Sequence, residues 1–378
     1  MKKVLIIVAG NNGTIGRCSL NLLRAFKERD DVEVKCVGVH RFDNGFEGFT
    51  DCEFFSNNDQ ERGGNLLKQV KWLSGVKNAF KPDLTISTLH SADVLNCLYR
   101  VGDKRVGIFH APHKQGRAFG LIKYIMFLLP YWLLFRRLDL CSCVSKEVEE
   151  DFRHFWTIKK ERVKTVYNIH LVDEIVRKAN EPVEDLPSTA YFVYCGRLDA
   201  NKAPIRAVKA LVQSNTDASL VIVGKGEETF VNSFKEQVNS LGLSERVVLL
   251  GEKANPYPYI KGAKALVSSS YSEGLPGVII EAMALGVPVV STNSSRGIWE
   301  ILCVESSYDS SLSGIFETLY GVISSNLSYT DGSKEEYDID NLAKGLEIAF
   351  NTGHFSDAAF LPNVDGGVIT TQYLSLLD

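Results

Sequence analysis

The chain has 378 residues, of which 45% are hydrophobic and 23% are charged. That length exceeds one ordinary core and predicts two domains, and the composition is typical of a folded soluble protein rather than a disordered or collagen-like one. The net charge of −4 conceals an asymmetry, because residues 1–180 are basic and the remaining residues are acidic. Two domains with different partners explain this asymmetry, and chance variation of surface charge is the alternative. No recognition-helix, RNA-binding or zinc-finger pattern indicates nucleic acid.

Eight cysteines are scattered along the chain without a C-x-x-C pair. They show no spacing that suits a metal site with nearby histidines, and several lie in apolar runs, where cysteine behaves as a small buried hydrophobe. The apolar run near the start, VLIIVAG, is short and leads into a glycine loop, so we interpret it as a buried strand and not as a secretion signal. These features predict a reducing cytoplasm, with no metal and no cofactor.

The first half alternates apolar runs with amphipathic stretches. Continuous β-branched runs indicate strands buried on both faces, as in a parallel sheet covered by helices. The predicted strands are Lys3–Ala9, Val32–Val39, Leu84–Thr88, Val106–Phe109 and Val163–Tyr167, and the predicted helices are Gly16–Glu28 and Leu66–Phe80.

The same alternation restarts after Glu181–Ser188, a segment rich in proline and acidic residues that suits a linker. The predicted strands are Tyr191–Cys195, Leu220–Val223, Val247–Leu250, Ala265–Ser268 and Val287–Ser291, with helices at Ala203–Val212, Phe230–Leu241, Gly277–Leu285, Asn341–Phe350 and Val368–Leu377. Two such series predict an α/β protein of two Rossmann-like doubly wound domains facing each other across a cleft. We expect the domains at 1–180 and 189–360, with 361–378 packing back on the first.

A pair of glutamates, Glu273 and Glu281, stands out in the second half. Pro276 lies between them and suits the first turn of a helix, while Gly286 suits its end. The unpaired N–H groups at such a helix start attract a diphosphate or a sugar. Two solvated charges beside a helix are the alternative, since the spacing alone is common.

The segment GRLDANK places Arg197 and Lys202 in a turn directly after the strand YFVYC. The planar fork of arginine and the point charge of lysine can together hold one pyrophosphate. Without a metal, they would take up the negative charge that develops on a leaving nucleoside diphosphate. An ordinary surface loop is the alternative.

These segments resemble the retaining GT-B glycosyltransferases of family four. The resemblance lies in Gly196-Arg197-Leu198 with Lys202, Val223-Gly224-Lys225-Gly226, Leu250-Gly251, Ser268–Pro276, Glu281-Ala282-Met283-Ala284, Gly286-Val287-Pro288-Val289-Val290, and Gly297 with Glu300-Ile301-Leu302. It is dense between about 191 and 302. Ile298 stands where many relatives have proline, and this is a small departure.

The resemblance implies a role for each donor-site residue. Arg197 and Lys202 would bind the donor pyrophosphate, Glu281 the ribose hydroxyls and Glu273 the donor sugar. Gly274, Leu275 and the residues beside Pro276 would lie against the sugar and the β-phosphate, and Gly224 and Gly251 belong to the same predicted site. The implied activity is metal-independent transfer of a hexosyl unit, with retention, from a nucleoside diphosphate sugar, UDP-sugar being favoured.

Candidate residues of the first half are fewer. Gly13, Thr14 and Gly16 form a glycine-rich loop ahead of the first helix, which can approach a phosphate or the acceptor. His110 closes the strand VGIF, and the resemblance places it near the reacting centre, with a core or surface histidine as the alternative. Asn168 stands where relatives often have Asn-Gly, which leaves its role open.

The most apolar stretch is 119–135, flanked by basic residues between 114 and 137. It is too short and too interrupted to span a membrane. A helix in the membrane interface and a buried helix pair are equally compatible with it. Interfacial binding would place the protein on the inner face of the cell membrane, with a saccharide or lipid-linked saccharide as acceptor and a role in bacterial surface polysaccharide synthesis.

Three further interpretations stay open or weak. Asp338-Ile339-Asp340 spells the D-x-D metal motif of another glycosyltransferase architecture, but its polar surroundings favour a solvated helix start. A sugar-nucleotide epimerase or phosphorylase of the same fold remains an alternative. A catalytically silent homologue that binds or scaffolds is the other.

Overall fold

The structure is a computed structural model that describes residues 1–10, 13–41, 47–56, 65–110, 133–156, 158–303 and 308–378. The chain divides into two compact units. Unit 1 comprises Met1–His170 together with Asn363–Asp378, and unit 2 comprises Leu171–Pro362. The boundary therefore falls ahead of the proline-containing segment 181–188, which belongs to unit 2. Most of the apolar segment, 119–132, lies outside the described residues.

Unit 1 is built on a parallel sheet with the strand order β3-β2-β1-β4-β5-β6-β7. Its interior strand β1 is an uninterrupted apolar run whose residues Val4 to Val8 are fully buried, because helices cover both faces of the sheet. The strands are β1 (Lys2–Gly10), β2 (Val32–His40), β3 (Glu53–Ser56), β4 (Leu84–Thr88), β5 (Lys104–Phe109), β6 (Leu140–Cys143) and β7 (Val163–Thr165).

Helices α1 to α4 and the last helix of the chain, α12, belong to the same unit. The bounds are α1 (Gly13–Lys27), α2 (Leu66–Phe80), α3 (His90–Leu98), α4 (Lys146–Trp156) and α12 (Gly366–Leu374). Tyr373 on α12 is buried, and its hydroxyl lies 2.9 Å from the hydroxyl of Ser142 on β6. Arg29 donates to Thr371, also on α12, at 3.0 Å. The chain end therefore completes the core of unit 1.

Unit 2 contains a second sheet, ordered β10-β9-β8-β11-β12-β14-β13, in which only β13 is antiparallel. The strands are β8 (Tyr191–Cys195), β9 (Ser219–Val223), β10 (Val247–Gly251), β11 (Ala265–Ser268), β12 (Val289–Thr292), β13 (Ile315–Thr318) and β14 (Gly321–Ser324). The helices are α5 (Val172–Lys178), α6 (Pro204–Gln213), α7 (Glu228–Ser240), α8 (Tyr257–Lys261), α9 (Gly277–Ala284), α10 (Arg296–Leu302) and α11 (Glu335–Asn351). One face of this sheet packs against α6, α7 and α11.

The structure adds features that the sequence analysis does not anticipate. The serine- and tyrosine-rich stretch after residue 308 forms the β13–β14 hairpin. Cys36 on β2 and Cys52, just ahead of β3, form a disulfide, because the pairing of these neighbouring strands brings their Cα atoms to 4.9 Å. The sequence analysis does not predict this pair, and a disulfide is uncommon in the reducing compartment that it favours. Among the described residues, no helix is both long and apolar enough to cross a membrane.

Candidate active site

The carboxyl ends of the parallel strands of unit 2 bring the predicted donor residues together. Strand β8 lies between β9 and β11, so the loops that follow all three emerge at one edge of the sheet. The loop after β8 carries Arg197 and Lys202, and the loop after β11 carries Glu273. Residues that are far apart in sequence therefore meet at one site.

Lys202 and Glu273 form a direct ion pair. The Nζ of Lys202 lies 2.5 Å from Oε1 of Glu273, and the two side chains are only 23% and 10% exposed. The same carboxylate oxygen accepts a hydrogen bond of 2.6 Å from the hydroxyl of Ser270. Arg197, by contrast, is 73% exposed, with its guanidinium 3.2 Å from Asp199. The site thus contains one cation held by a carboxylate and one that extends into solvent.

Backbone hydrogen bonds tie the two loops to each other. The N–H of Tyr271 donates to the carbonyl of Asn201 at 2.8 Å, and the side-chain amide of Asn201 donates to the carbonyl of Ser272 at 2.9 Å. The N–H of Glu273 donates to Ser294, after β12, at 3.1 Å. The loops after β8, β11 and β12 therefore form one bonded layer, and this layer fixes the backbone on both sides of Glu273.

Helix α9 starts directly after this layer. Pro276 is its N-cap in extended conformation, and the helix runs from Gly277 to Ala284. Glu281 is half-buried and lies about 6 Å along the axis from the first turn, at about 1.5 Å per residue. Gly286, with φ of 70°, follows the helix end, where a Cβ would stand 2.1 Å from the carbonyl oxygen of Phe355. The helix begins and ends where proline and glycine predict.

Glycines allow the loops to approach closely. Gly224 has φ of 154°, and a Cβ there would lie 1.8 Å from the carbonyl oxygen of Gly196. The N–H of Gly224 donates to Gly251 at 2.8 Å, and that of Gly196 donates to Val223 at 2.9 Å. Gly297 similarly faces the carbonyl of Gly274, at 2.3 Å from its would-be Cβ. Gly224, predicted as a donor residue, thus also has a structural task in joining the turns after β8 and β9.

The candidate residues of the first half lie in unit 1. Gly13, Thr14 and Gly16 form the first turn of α1. His110 follows β5, and burial lowers the pKa of its imidazole to about 4, so it is neutral at pH 7. Its Nε2 is buried and has no hydrogen-bond partner among the described residues.

A small hollow adjoins His110, and its lining includes Ser19, Thr88 and Asn168. The hydroxyls of Ser19 and Thr88 lie 3.0 Å apart and bond to each other. The other lining residues include the apolar side chains of Leu22, Ile108, Ile169 and Ile369, so the surroundings of the imidazole are mixed. This hollow is far too small for a sugar or any other drug-sized ligand.

The structure gives the D-x-D sequence a different explanation from the expected solvated helix start. Asp338 lies in the first turn of α11 and is fully buried, and the exposed residue is Asp340. The carboxylate of Asp338 accepts from the hydroxyl of Ser325 at 2.6 Å and from the N–H of Ser328 at 2.7 Å, and it pairs with Arg206. Its oxygens are therefore engaged. Within the described part of the chain no cluster of three or more metal-ligating side chains is present.

Several residues of the site were missed by sequence reasoning. Ser270 and Asn201 contact the glutamate and its loop through bonds between distant parts of the chain, and no local pattern marks them. Arg206 lies on α6, four residues after Lys202, and looks like any helical surface cation in the sequence. The only sequence signal for this group is the run of serines ahead of Glu273.

Comparison with known proteins gives consistent matches. Residues 176–307 match the family described as Glycosyl transferases group 1. An uncharacterized glycosyltransferase of Methanocaldococcus jannaschii is 28% identical over 280 residues, covering 70% of this chain and 68% of that protein. The Campylobacter jejuni GalNAc-alpha-(1->4)-GalNAc-alpha-(1->3)-diNAcBac-PP-undecaprenol alpha-1,4-N-acetyl-D-galactosaminyltransferase is 29% identical over 312 residues, covering 80% and 82%. The Anabaena protein HepE, in complex with UDP and glucose, superposes with a TM-score of 0.66 at 18% identity, covering 100% of this chain and 99% of that one.

Two mainly parallel sheets, each covered by helices, define a GT-B fold of two Rossmann-like domains, and the likeness to HepE confirms this fold. The predicted fold class is therefore confirmed. Residues 176–307 of unit 2 thus resemble the glycosyl transferases group 1 family, and relatives that match over most of the length are glycosyltransferases by name.

Proposed function

We propose that this protein transfers a hexosyl unit, with retention and without a metal, from a nucleoside diphosphate sugar to a saccharide acceptor. The observation that carries the proposal is the pairing of Lys202 with Glu273 beside Arg197, at the start of α9. Cations and helix N–H groups suit a diphosphate, and carboxylates suit sugar hydroxyls. UDP-sugar is the favoured donor, since UDP is the nucleotide bound to the HepE structure.

Each donor residue has a task in this proposal. Arg197 and Lys202 bind the pyrophosphate and stabilise the charge that develops as the bond between the anomeric carbon and the phosphate oxygen breaks. Glu281 binds the ribose, and Glu273 binds a hydroxyl of the sugar. Lys202 must then share its ammonium between Glu273 and the phosphate, and its three N–H donors allow this.

The acceptor hydroxyl forms the new bond to the anomeric carbon from the face that the phosphate leaves, and its proton passes to the leaving phosphate. We assign acceptor recognition to unit 1. His110 is neutral at pH 7 because burial lowers its pKa to about 4. It therefore acts as a hydrogen-bonding group for a sugar hydroxyl rather than as a cation.

The acceptor class is a lipid-linked saccharide of bacterial surface glycan synthesis. The Campylobacter relative is named for an undecaprenyl-diphosphate-linked glycan, and that name supports the proposal. An acceptor of this kind requires access to the membrane surface. We propose a cytoplasmic protein that binds peripherally to the inner face of the membrane.

A ligand panel tests the donor assignment. The full chain is titrated with UDP-, GDP- and ADP-sugars while its thermal unfolding is followed, because a ligand that binds only the folded state raises the midpoint. We expect the sugars of one nucleotide base to raise the midpoint of thermal unfolding. The absence of a shift with every nucleotide sugar would support a silent homologue, and conversion of the donor without any acceptor would support an epimerase.

Two variants test the roles of the residues. Lys202→Ala is expected to lower donor turnover by at least about a hundredfold, the scale seen when one electrostatic contact to a transition state is removed. Glu281→Gln is expected to lower turnover at subsaturating donor, because it weakens the contact with the ribose. Both side chains are at least partly exposed, so the fold should persist. Glu252→Gln, which removes an exposed partner of Lys225, is the control. Near-normal turnover in either donor-site variant would contradict the assignment.

A further inference from the structure

Arg206 on α6 is fully buried, although arginine is rarely buried unless it is paired. One guanidinium nitrogen donates to the backbone carbonyl of Ser269 at 3.2 Å and to the side chain of Asn326 at 2.9 Å. The other donates to Ser328 at 3.3 Å and to Asp338 at 3.4 Å. The arginine therefore connects the loop after β11 with the segment after β14 and with α11.

Tyr271 packs against the same guanidinium. The centre of its ring lies 4.6 Å from the guanidinium carbon, a cation–π distance. Its hydroxyl donates to Glu335 at 3.1 Å, and its carbonyl accepts from the side-chain amide of Asn326 at 2.8 Å. Tyr329 stacks on its ring at 6.5 Å. The backbone on both sides of Ser270 is thus held by Arg206, directly at Ser269 and through Asn326 and the ring at Tyr271.

Ser270 is the residue whose hydroxyl donates to the Glu273 carboxylate, at 2.6 Å. The chain from Ser269 to Tyr271 therefore links the buried arginine to the glutamate that pairs with Lys202. Arg206 has no bond to Glu273 or Lys202 itself. Its influence on the donor residues passes through the loop backbone.

We propose that Arg206 is a positioning residue of the donor site, which holds the loop 269–273 so that Glu273 and Lys202 meet the donor sugar and its phosphate. This inference rests on the proposed function. Stability alone is a weak explanation for the arginine, because well-packed apolar side chains often replace buried ion pairs without loss of stability. A geometric role explains why the guanidinium bonds to loop backbone as well as to carboxylates.

The test uses two variants and two matched controls in the full-length protein. Arg206→Gln replaces the guanidinium by a shorter amide side chain. Tyr271→Leu removes the aromatic ring while leaving the arginine in place. Lys77→Gln disturbs an equally buried ion pair, with Asp103, in unit 1, and Tyr271→Phe removes only the hydroxyl. Measured quantities are the release of nucleoside diphosphate from the donor in the presence of a lipid-linked saccharide acceptor, the affinity for UDP, GDP and ADP by calorimetry, and the thermal midpoint.

We expect Arg206→Gln and Tyr271→Leu to lower kcat by roughly ten- to a hundredfold, because small misplacements of reacting groups have effects of this size. The loss of affinity for the nucleoside diphosphate that the wild type binds should be smaller than the loss of kcat, because Arg197 and Glu281 stay in place and only the contact of Lys202 is disturbed. Tyr271→Phe should retain most of its turnover. Lys77→Gln should lower the midpoint without lowering the kcat of the folded protein.

Each alternative outcome has a distinct meaning. If the wild type binds none of the three nucleotides, the proposed function fails and the inference fails with it. The second outcome is that the wild type binds and turns over donor, while Arg206→Gln and Tyr271→Leu lose activity only in proportion to the protein that is unfolded, as Lys77→Gln does. That outcome overturns the inference alone. If Arg206→Gln fails to fold, the kcat of Tyr271→Leu is compared with that of Tyr271→Phe, and this comparison decides the question.

Discussion

Gly224→Ala should separate the geometry of the donor site from the general stability of unit 2. Gly224 has φ of 154°, which side chains rarely adopt, and its new Cβ would meet the Gly196 carbonyl oxygen at 1.8 Å. Cβ contacts in real proteins stay above 3.0 Å, so the Gly196 carbonyl must move by roughly 1 Å, a displacement that can cost about a hundredfold in rate. Arg197 is the next residue and moves with it. The strained backbone should also cost about 1–3 kcal/mol of stability.

Gly242→Ala is the matched control for this change. Gly242 follows α7 with φ of 69°, and a Cβ added there would meet no atom within 4 Å. Its replacement should cost about 1 kcal/mol from the left-handed backbone and leave turnover intact. The assay follows release of nucleoside diphosphate from the donor, beside thermal unfolding. Equal turnover in Gly224→Ala and Gly242→Ala would refute the claim that the turns after β8 and β9 must meet closely.

Three further changes test other parts of the structure. Tyr373→Phe removes the buried hydrogen bond with Ser142 and should cost about 1–3 kcal/mol; an unchanged thermal midpoint would contradict the role of the chain end in unit 1. Asp338→Asn weakens the pairing with the buried Arg206 and should cost up to about 3–5 kcal/mol in urea unfolding, while a chelator leaves turnover unchanged. A chelator-sensitive turnover restored by a divalent cation would argue for a metal site instead. The pKa of His110 is lowered to about 4, below its unfolded value of about 6.5. Its contribution to stability is therefore present above about pH 6.5 and lost as the pH falls toward 4. His110→Gln should flatten this decline in the free energy of unfolding. A pH profile of stability identical to that of the wild type would count against the buried neutral imidazole.

Much of the fold could be predicted from local patterns. The bounds of Leu84–Thr88, Tyr191–Cys195 and Ala265–Ser268 agree with the predictions, because strands buried on both faces are continuous apolar runs with polar or glycine residues at their ends. Strand β6, Leu140–Cys143, was not predicted, since four residues with alternating serine and cysteine carry little strand signal. The hairpin after residue 308 has two four-residue strands and was missed for the same reason.

The site shows where local patterns stop being informative. The helix start at Pro276 and its end near Gly286 follow from single residues, and both were predicted. The ion pair of Lys202 with Glu273 spans 71 positions, and the pair of Arg206 with Asp338 spans 132. Spacing along the chain holds no information on such partners. The buried carboxylate of Asp338 was therefore predicted to be solvated. Only the crossover order of the strands brings them together.

The most direct test of the donor assignment is a crystal structure of the full-length protein soaked with the nucleoside diphosphate sugar that the panel selects. We predict that the pyrophosphate binds Arg197 and Lys202, that the ribose hydroxyls lie within hydrogen-bond distance of Glu281, and that the sugar contacts Glu273. A nucleotide bound in unit 1, or one in unit 2 that leaves the pair of Lys202 and Glu273 untouched, would contradict the assignment.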